Sequence, residues 1–108
     1  MTQAPAGMHQ QTYDAIVRTV SDLVPGVTIE DIFGSSRCAP YVRARHLFVY
    51  ALRSYGLGVV HIGKHMGRDH TTIMYAVDKL KGYSQYDEWW LEALRQVDCA
   101  ICEEHVGK

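Results

Sequence analysis

With 108 residues, 47% of them hydrophobic and 21% charged, the chain has the size and balance of one soluble globular domain rather than a disordered segment. Its formal net charge of −1 excludes a uniformly basic nucleic-acid coat. The longest apolar run, Leu47–Leu52, falls far short of the ~18–20 residues that span a bilayer. No G-x-x-x-x-G-K-[ST] phosphate loop is present, so neither a membrane protein nor a complete ATPase module is expected.

The predicted elements give an all-α fold, a compact bundle of about six helices over residues 11–106. Residues 1–10 read as a flexible tail, with Pro5 and Gly7 among small and polar residues and no leader of the export type. Tyr13, Ile16, Val17, Val20, Leu23 and Val24 recur at three- and four-residue steps, one apolar helical stripe. Pro25-Gly26 stops it. Thr28-x-x-Asp31 caps a short turn ending near Phe33-Gly34. After the loop Gly34–Arg37, Pro40 suits the first turn of a helix that runs to about Tyr55. A short helical segment from Val59, with Ile62 and Met66 on one side, is followed by Gly67, which permits a tight turn. Asp69 is a candidate N-cap for a helix reaching about Lys81, with Ile73, Ala76, Val77 and Leu80 inward. Past Gly82, a last helix spans about 87–104 with Trp90, Leu94, Val97 and Ile101 in its stripe. Helix, glycine turn and helix over about 59–81 outline a helix-turn-helix.

Charge is unevenly distributed. Between Ile32 and Arg68 there is no Asp or Glu, whereas Arg37, Arg43, Arg45, Arg53, Lys64 and Arg68 all fall there. From Asp87 onward the acids Asp87, Glu88, Glu92, Asp98, Glu103 and Glu104 face only Arg95 and Lys108. A polyanion responds to local potential rather than to net charge, so one positive face is expected. Alternatively, these cations simply solvate helix surfaces.

Gly67-Arg68-Asp69-His70-Thr71-Thr72 concentrates groups suited to DNA. The first turn of a helix has unsatisfied N–H groups and a positive dipole end, which favour phosphate. Arg68 matches phosphate or a guanine edge, Asp69 can accept from a cytosine amino group, and His70 can donate to a base. Thr71 and Thr72 add hydroxyls. The competing reading makes Asp69 an N-cap for the Thr72 N–H and the threonines ordinary first-turn residues.

From Val27 to about Val97 the sequence resembles the C-terminal DNA-binding domain of DnaA, the bacterial replication initiator, a helix-turn-helix of the Trp-repressor type. Asp31-Ile32-Phe33, Arg43-Ala44-Arg45-His46 with Leu47–Arg53, Ile62-Gly63 and Met66–Ile73 carry the likeness in order. The resemblance implies that Arg37 enters the minor groove from its loop. It implies that Arg45 and Arg53 meet the sugar-phosphate backbone or groove rim, and that Arg68, Asp69, His70, Thr71 and Thr72 read and clamp the major groove. The sequence departs from the family's pattern in having one glycine before Arg68 where two are usual, and Ala39 where a second basic residue is common. The turn after Tyr55 is also one residue short.

The expected function is therefore sequence-specific binding of double-stranded DNA in the cytoplasm, at the nucleoid. The expected role is that of a transcription regulator, with phage or prophage-like genes as candidate targets. Arg37, Arg43, Arg45, Arg53, Lys64, Arg68, Asp69, His70, Thr71 and Thr72 form the expected interface. The alternatives are an accessory or competitor in replication initiation at related sites, and an adaptor that kept the fold for protein interaction. The acidic, aromatic C-terminal helix is expected to offer a docking surface for transcription or replication machinery.

No enzyme, metal site or cofactor is expected. Cys99-x-x-Cys102-x-x-His105 lacks a fourth ligand, and His61-x-x-x-His65 lacks the glutamate of a metalloprotease. The three cysteines read as reduced, buried or half-buried thiols, and His61 and His65 as solvent-facing or near phosphate. Trp89 falls outside the stripe of Trp90, so it either caps the core edge or contacts a partner.

Overall fold

A computed structural model describes residues 3–106, excluding the side chains of residues 83–86 and 103–106. The described residues form six helices and no strand: α1 (Gln10–Leu23), α2 (Ile29–Phe33), α3 (Ala39–Tyr55), α4 (Val59–Met66), α5 (His70–Tyr86) and α6 (Glu88–Val106).

α3 is the hub. Ala44, Leu47, Phe48, Val49, Ala51 and Leu52 are all buried, which is more than one helical stripe and marks a helix covered on several sides. It packs against each of the other five helices. α1 lies on α3 and α6 through Tyr13, Ile16 and Val20. α6 returns Trp90, Ala93, Leu94, Val97 and Ile101 to the same core.

The ends of the elements follow from their residues. Thr28 and Asp31 form a reciprocal capping box at α2: the Asp31 N–H donates to Thr28 Oγ1 at 3.2 Å and the Thr28 N–H to Asp31 Oδ2 at 3.0 Å. Pro40 occupies the first turn of α3. Gly67 closes α4 with φ +69° in the left-handed region, where a side chain is disfavoured.

α5 passes through Gly82 and continues to Tyr86, beyond the expected end at Lys81. An interior glycine costs a helix only ~1 kcal/mol, and no proline follows it. Asp87 then caps α6, accepting from the Trp89 N–H at 2.9 Å. The expected tail also folds back: Pro5 and Met8 are buried, and the Ala4 N–H donates to Gln10 Oε1 at 2.9 Å.

Side-chain direction corrects two expectations. His65 is half-buried among Tyr13, Phe33 and Phe48, edge-on to Tyr13 and Phe33 at 5.5 and 5.4 Å. Its Nε2 lies 2.9 Å from the Tyr13 hydroxyl; His61 is partly buried as well. Burial lowers the pKa of His65 and raises that of Tyr13. Cys38, Cys99 and Cys102 are exposed; on α6 the two cysteines fall out of phase with the Trp90–Ile101 stripe. The side chain of His105 lies outside the described residues. Among those described, no cluster of three metal-ligating groups occurs, and no helix is long and apolar enough to cross a membrane.

The α4–α5 turn depends on close backbone approach at Gly63. A Cβ there would lie 2.6 Å from the Arg68 carbonyl oxygen and 3.4 Å from the His70 nitrogen, and the Arg68 N–H donates to Gly63 O at 2.8 Å. Gly82 has open space around it. Gly63→Ala is therefore expected to lower unfolding free energy by ~1–3 kcal/mol. Gly82→Ala should raise it by ~0.5–1 kcal/mol. Urea titration followed by circular dichroism checks the opposite signs.

Candidate nucleic-acid interface

The first turn of α5 points outward on a helix whose other side is anchored. Ile73, Ala76 and Leu80 are buried, whereas Asp69, His70, Thr71 and Thr72 are exposed. Asp69 Oδ1 accepts from the Thr71 N–H at 2.9 Å and from the Thr71 hydroxyl at 3.0 Å, and His70 Nδ1 lies 3.2 Å away. The Asp69 carbonyl accepts from the N–H groups of Thr72 and Ile73. Asp69 is thus an N-cap in this structure, through the Thr71 N–H rather than that of Thr72. The Thr71 N–H, then the Thr71 hydroxyl, hold its carboxyl below the usual carboxylate range.

The arginines divide into exposed and internally engaged groups. Arg37 is exposed on the α2–α3 loop. Arg43 is exposed and stacks over Trp89 at 4.7 Å from the ring centroid. Arg37 and Arg43 border one shallow depression together with Val42, His46 and Trp90. Arg53, exposed near the far end of α3, donates to Leu57 O at 3.3 Å. Lys64 is exposed on α4.

Arg45 and Arg68 face the protein backbone. Arg45 donates through Nε to Ile32 O (2.9 Å), through Nη1 to Ser36 O (3.0 Å) and through Nη2 to Asp31 O (3.1 Å). Arg68 donates to Met66 O at 3.2 Å and to Gly34 O. Desolvation, then the neighbouring Arg68 charge, lower the pKa of Arg45.

Trp89 is half-buried, edge-on to Trp90 at 5.1 Å, so it closes the core edge beneath Arg43. The sequence reading passed over the outward apolar residues Val60 on α4 and Met74 and Tyr75 on α5, which are 52%, 48% and 60% exposed. Lys79 lies over Tyr75 at 5.4 Å. For Met74 and Tyr75 the signal lies in the sequence, because large apolar residues out of phase with the Ile73–Leu80 stripe of α5 have no core to enter.

The sequence model of the bacterial DnaA protein helix-turn-helix matches residues 13–80, more than half of the chain and all of α2–α4. The chain belongs to the bacterial DnaA helix-turn-helix family. Similar proteins include the chromosomal replication initiator protein DnaA of Nostoc punctiforme, 35% identical over 90 residues, which covers 82% of this chain and 19% of that protein. The DnaA of Gloeobacter violaceus is 40% identical over 72 residues, 65% of this chain and 16% of the relative. That of Thermomicrobium roseum is 38% identical over 64 residues, 57% and 14% respectively. The chain thus spans about a fifth or less of the length of these curated relatives.

The depressed Asp69 carboxyl predicts a pH dependence. A carboxyl whose pKa is lowered on folding stabilises the fold above its unfolded pKa and loses that effect as pH falls through its folded pKa. Asp69→Ala should lower the melting temperature at neutral pH. Its difference from the wild type should shrink toward zero as pH drops below the carboxylate range. Paired thermal melts across pH check this; a difference that persists unchanged in acid contradicts the cap.

Proposed function

We propose that this chain is a sequence-specific double-stranded DNA-binding protein, not an enzyme, and that it uses no cofactor. The N-terminus of α5 enters the major groove, and Arg37 reaches the neighbouring minor groove from its loop. The observation that carries this reading is the exposed Asp69-His70-Thr71-Thr72 tip on a helix anchored by Ile73, Ala76 and Leu80, within a family segment of known type. A helix end of this kind presents a positive dipole end to phosphate and side chains to base edges. Val60 and Met74 add apolar surface suited to thymine methyl groups. Arg37, Arg43, Arg53 and Lys64 supply backbone contacts and a salt-dependent affinity.

The proposed role is transcription regulation at the nucleoid, with phage or prophage-like genes as targets. A second reading, competition or assistance at replication-initiation sites, is favoured by the relatives, each named a chromosomal replication initiator protein. Chromatin immunoprecipitation separates them: promoter-centred peaks support the first and origin-centred peaks the second. The acidic side of α6, with Leu91 59% exposed beside Glu88, Glu92 and Asp98, is the proposed site for a protein partner from either machinery.

The DNA reading is tested on duplexes selected from a random pool. His70→Ala should cost ~1–3 kcal/mol of discrimination at one base position. Lys64→Ala should weaken all duplexes alike and reduce the salt slope by about 1. Fluorescence anisotropy across salt concentrations checks both. An unchanged ranking of duplexes in His70→Ala contradicts the assignment of α5 as reader.

A further inference from the structure

The loop that carries Arg37 is pinned from two sides. The last carbonyls of a helix have no partners within it; at the end of α2 the Gly34 N–H turns back to Asp31 O at 3.2 Å, and side chains from elsewhere engage that carbonyl and others nearby. Arg45 reaches from α3 and takes three of them, on Asp31, Ile32 and Ser36. Arg68 reaches from the α4–α5 turn and takes Gly34. The Ser36 carbonyl immediately precedes Arg37, and Arg68 immediately precedes the Asp69 cap. A planar guanidinium fork fixes several acceptors in one geometry, which a lysine ammonium on a flexible stem does not. Three separate carbonyls are therefore held by one rigid group, and a second group ties that loop to the reading helix.

We infer that Arg45 is a positioning residue: it holds the end of α2 and the loop through Ser36 on α3, while Arg68 ties the same loop to the α4–α5 turn, so that Arg37 and the tip of α5 meet the duplex at one fixed spacing. This replaces the backbone-contact role that the family resemblance implies for Arg45. It rests on the DNA-binding reading above. With Arg45 engaged, Arg37 is presented in a defined place; without the fork, Arg37 still carries its charge but samples many positions and contributes little.

The test is a double-mutant cycle on the duplex that the wild-type chain enriches from a random-sequence pool. Arg37→Ala and Arg45→Lys are each expected to weaken binding about tenfold or more, and the double variant is expected to fall no further than either alone. A base-pair insertion between the two contacted parts of the site should weaken the wild type strongly and Arg45→Lys little, a difference that loss of stability alone does not produce. Arg45→Lys binding within about twofold of wild type, or losses that multiply in the double variant, would overturn the inference while leaving DNA binding intact. A wild-type chain that enriches no duplex overturns the DNA reading, and this inference with it. If circular dichroism shows Arg45→Lys unfolded, Arg68→Lys takes its place in the cycle with the same criteria.

Discussion

The carbonyl groups at the end of α2 have to find donors, and two guanidinium groups supply them. Asp31 O also accepts from the Gly34 N–H at 3.2 Å, and a hydrogen bond from a charged donor contributes about 1.5–3 kcal/mol. Arg45 and Arg68 converge on Asp31, Ile32, Gly34 and Ser36. Hence the loop that bears Arg37 is fastened both to α3 and to the α4–α5 turn. Burial first, and then the neighbouring Arg68 charge, lower the pKa of Arg45.

Around that joint the fold is a scaffold for one turn. α3 is buried through Ala44, Leu47, Phe48, Ala51 and Leu52 and touches every other helix. α4 is tied back to α1 by the Tyr13–His65 contact and the ring cluster with Phe33 and Phe48. Gly63 lets α4 meet the backbone of residues 68–70 at a distance no side chain would permit. The tip of α5 is consequently exposed yet rigidly mounted, which is the combination a reader of base edges needs, because misplacement by an ångström breaks a hydrogen bond.

Much of this is legible in the sequence, and what is not is chiefly side-chain direction. Helical period placed the stripes of α1, α5 and α6, and Thr28, Pro40, Gly67 and Asp69 marked ends that the structure reproduces within a few residues. Period describes which face is apolar; it does not say where a long polar side chain turns. The family likeness sets Arg45 on the DNA backbone, and its place before the α5 tip sets Arg68 at a phosphate or base edge; the carbonyls that engage both are main-chain atoms invisible to residue type. His65 was taken as outward for the same reason, its partner Tyr13 lying 52 residues away. Met8 gave no signal because a single apolar residue has no period. Gly82 was over-read as a stop, since packing of α5 on α3, α4 and α6 outweighs one unfavourable propensity.

The family match over residues 13–80 and the anchored, outward tip of α5 support one account: the loop arginine and that tip act as a single face on a duplex. Backbone amide shifts of the whole chain, followed by nuclear magnetic resonance as a selected duplex is added, test this most directly. The account predicts large changes at residues 36–37, at Lys64 and at residues 67–72, with the amides of residues 96–101, on the part of α6 beside α1, little affected. Changes concentrated on α6, with residues 69–72 unmoved, would contradict it.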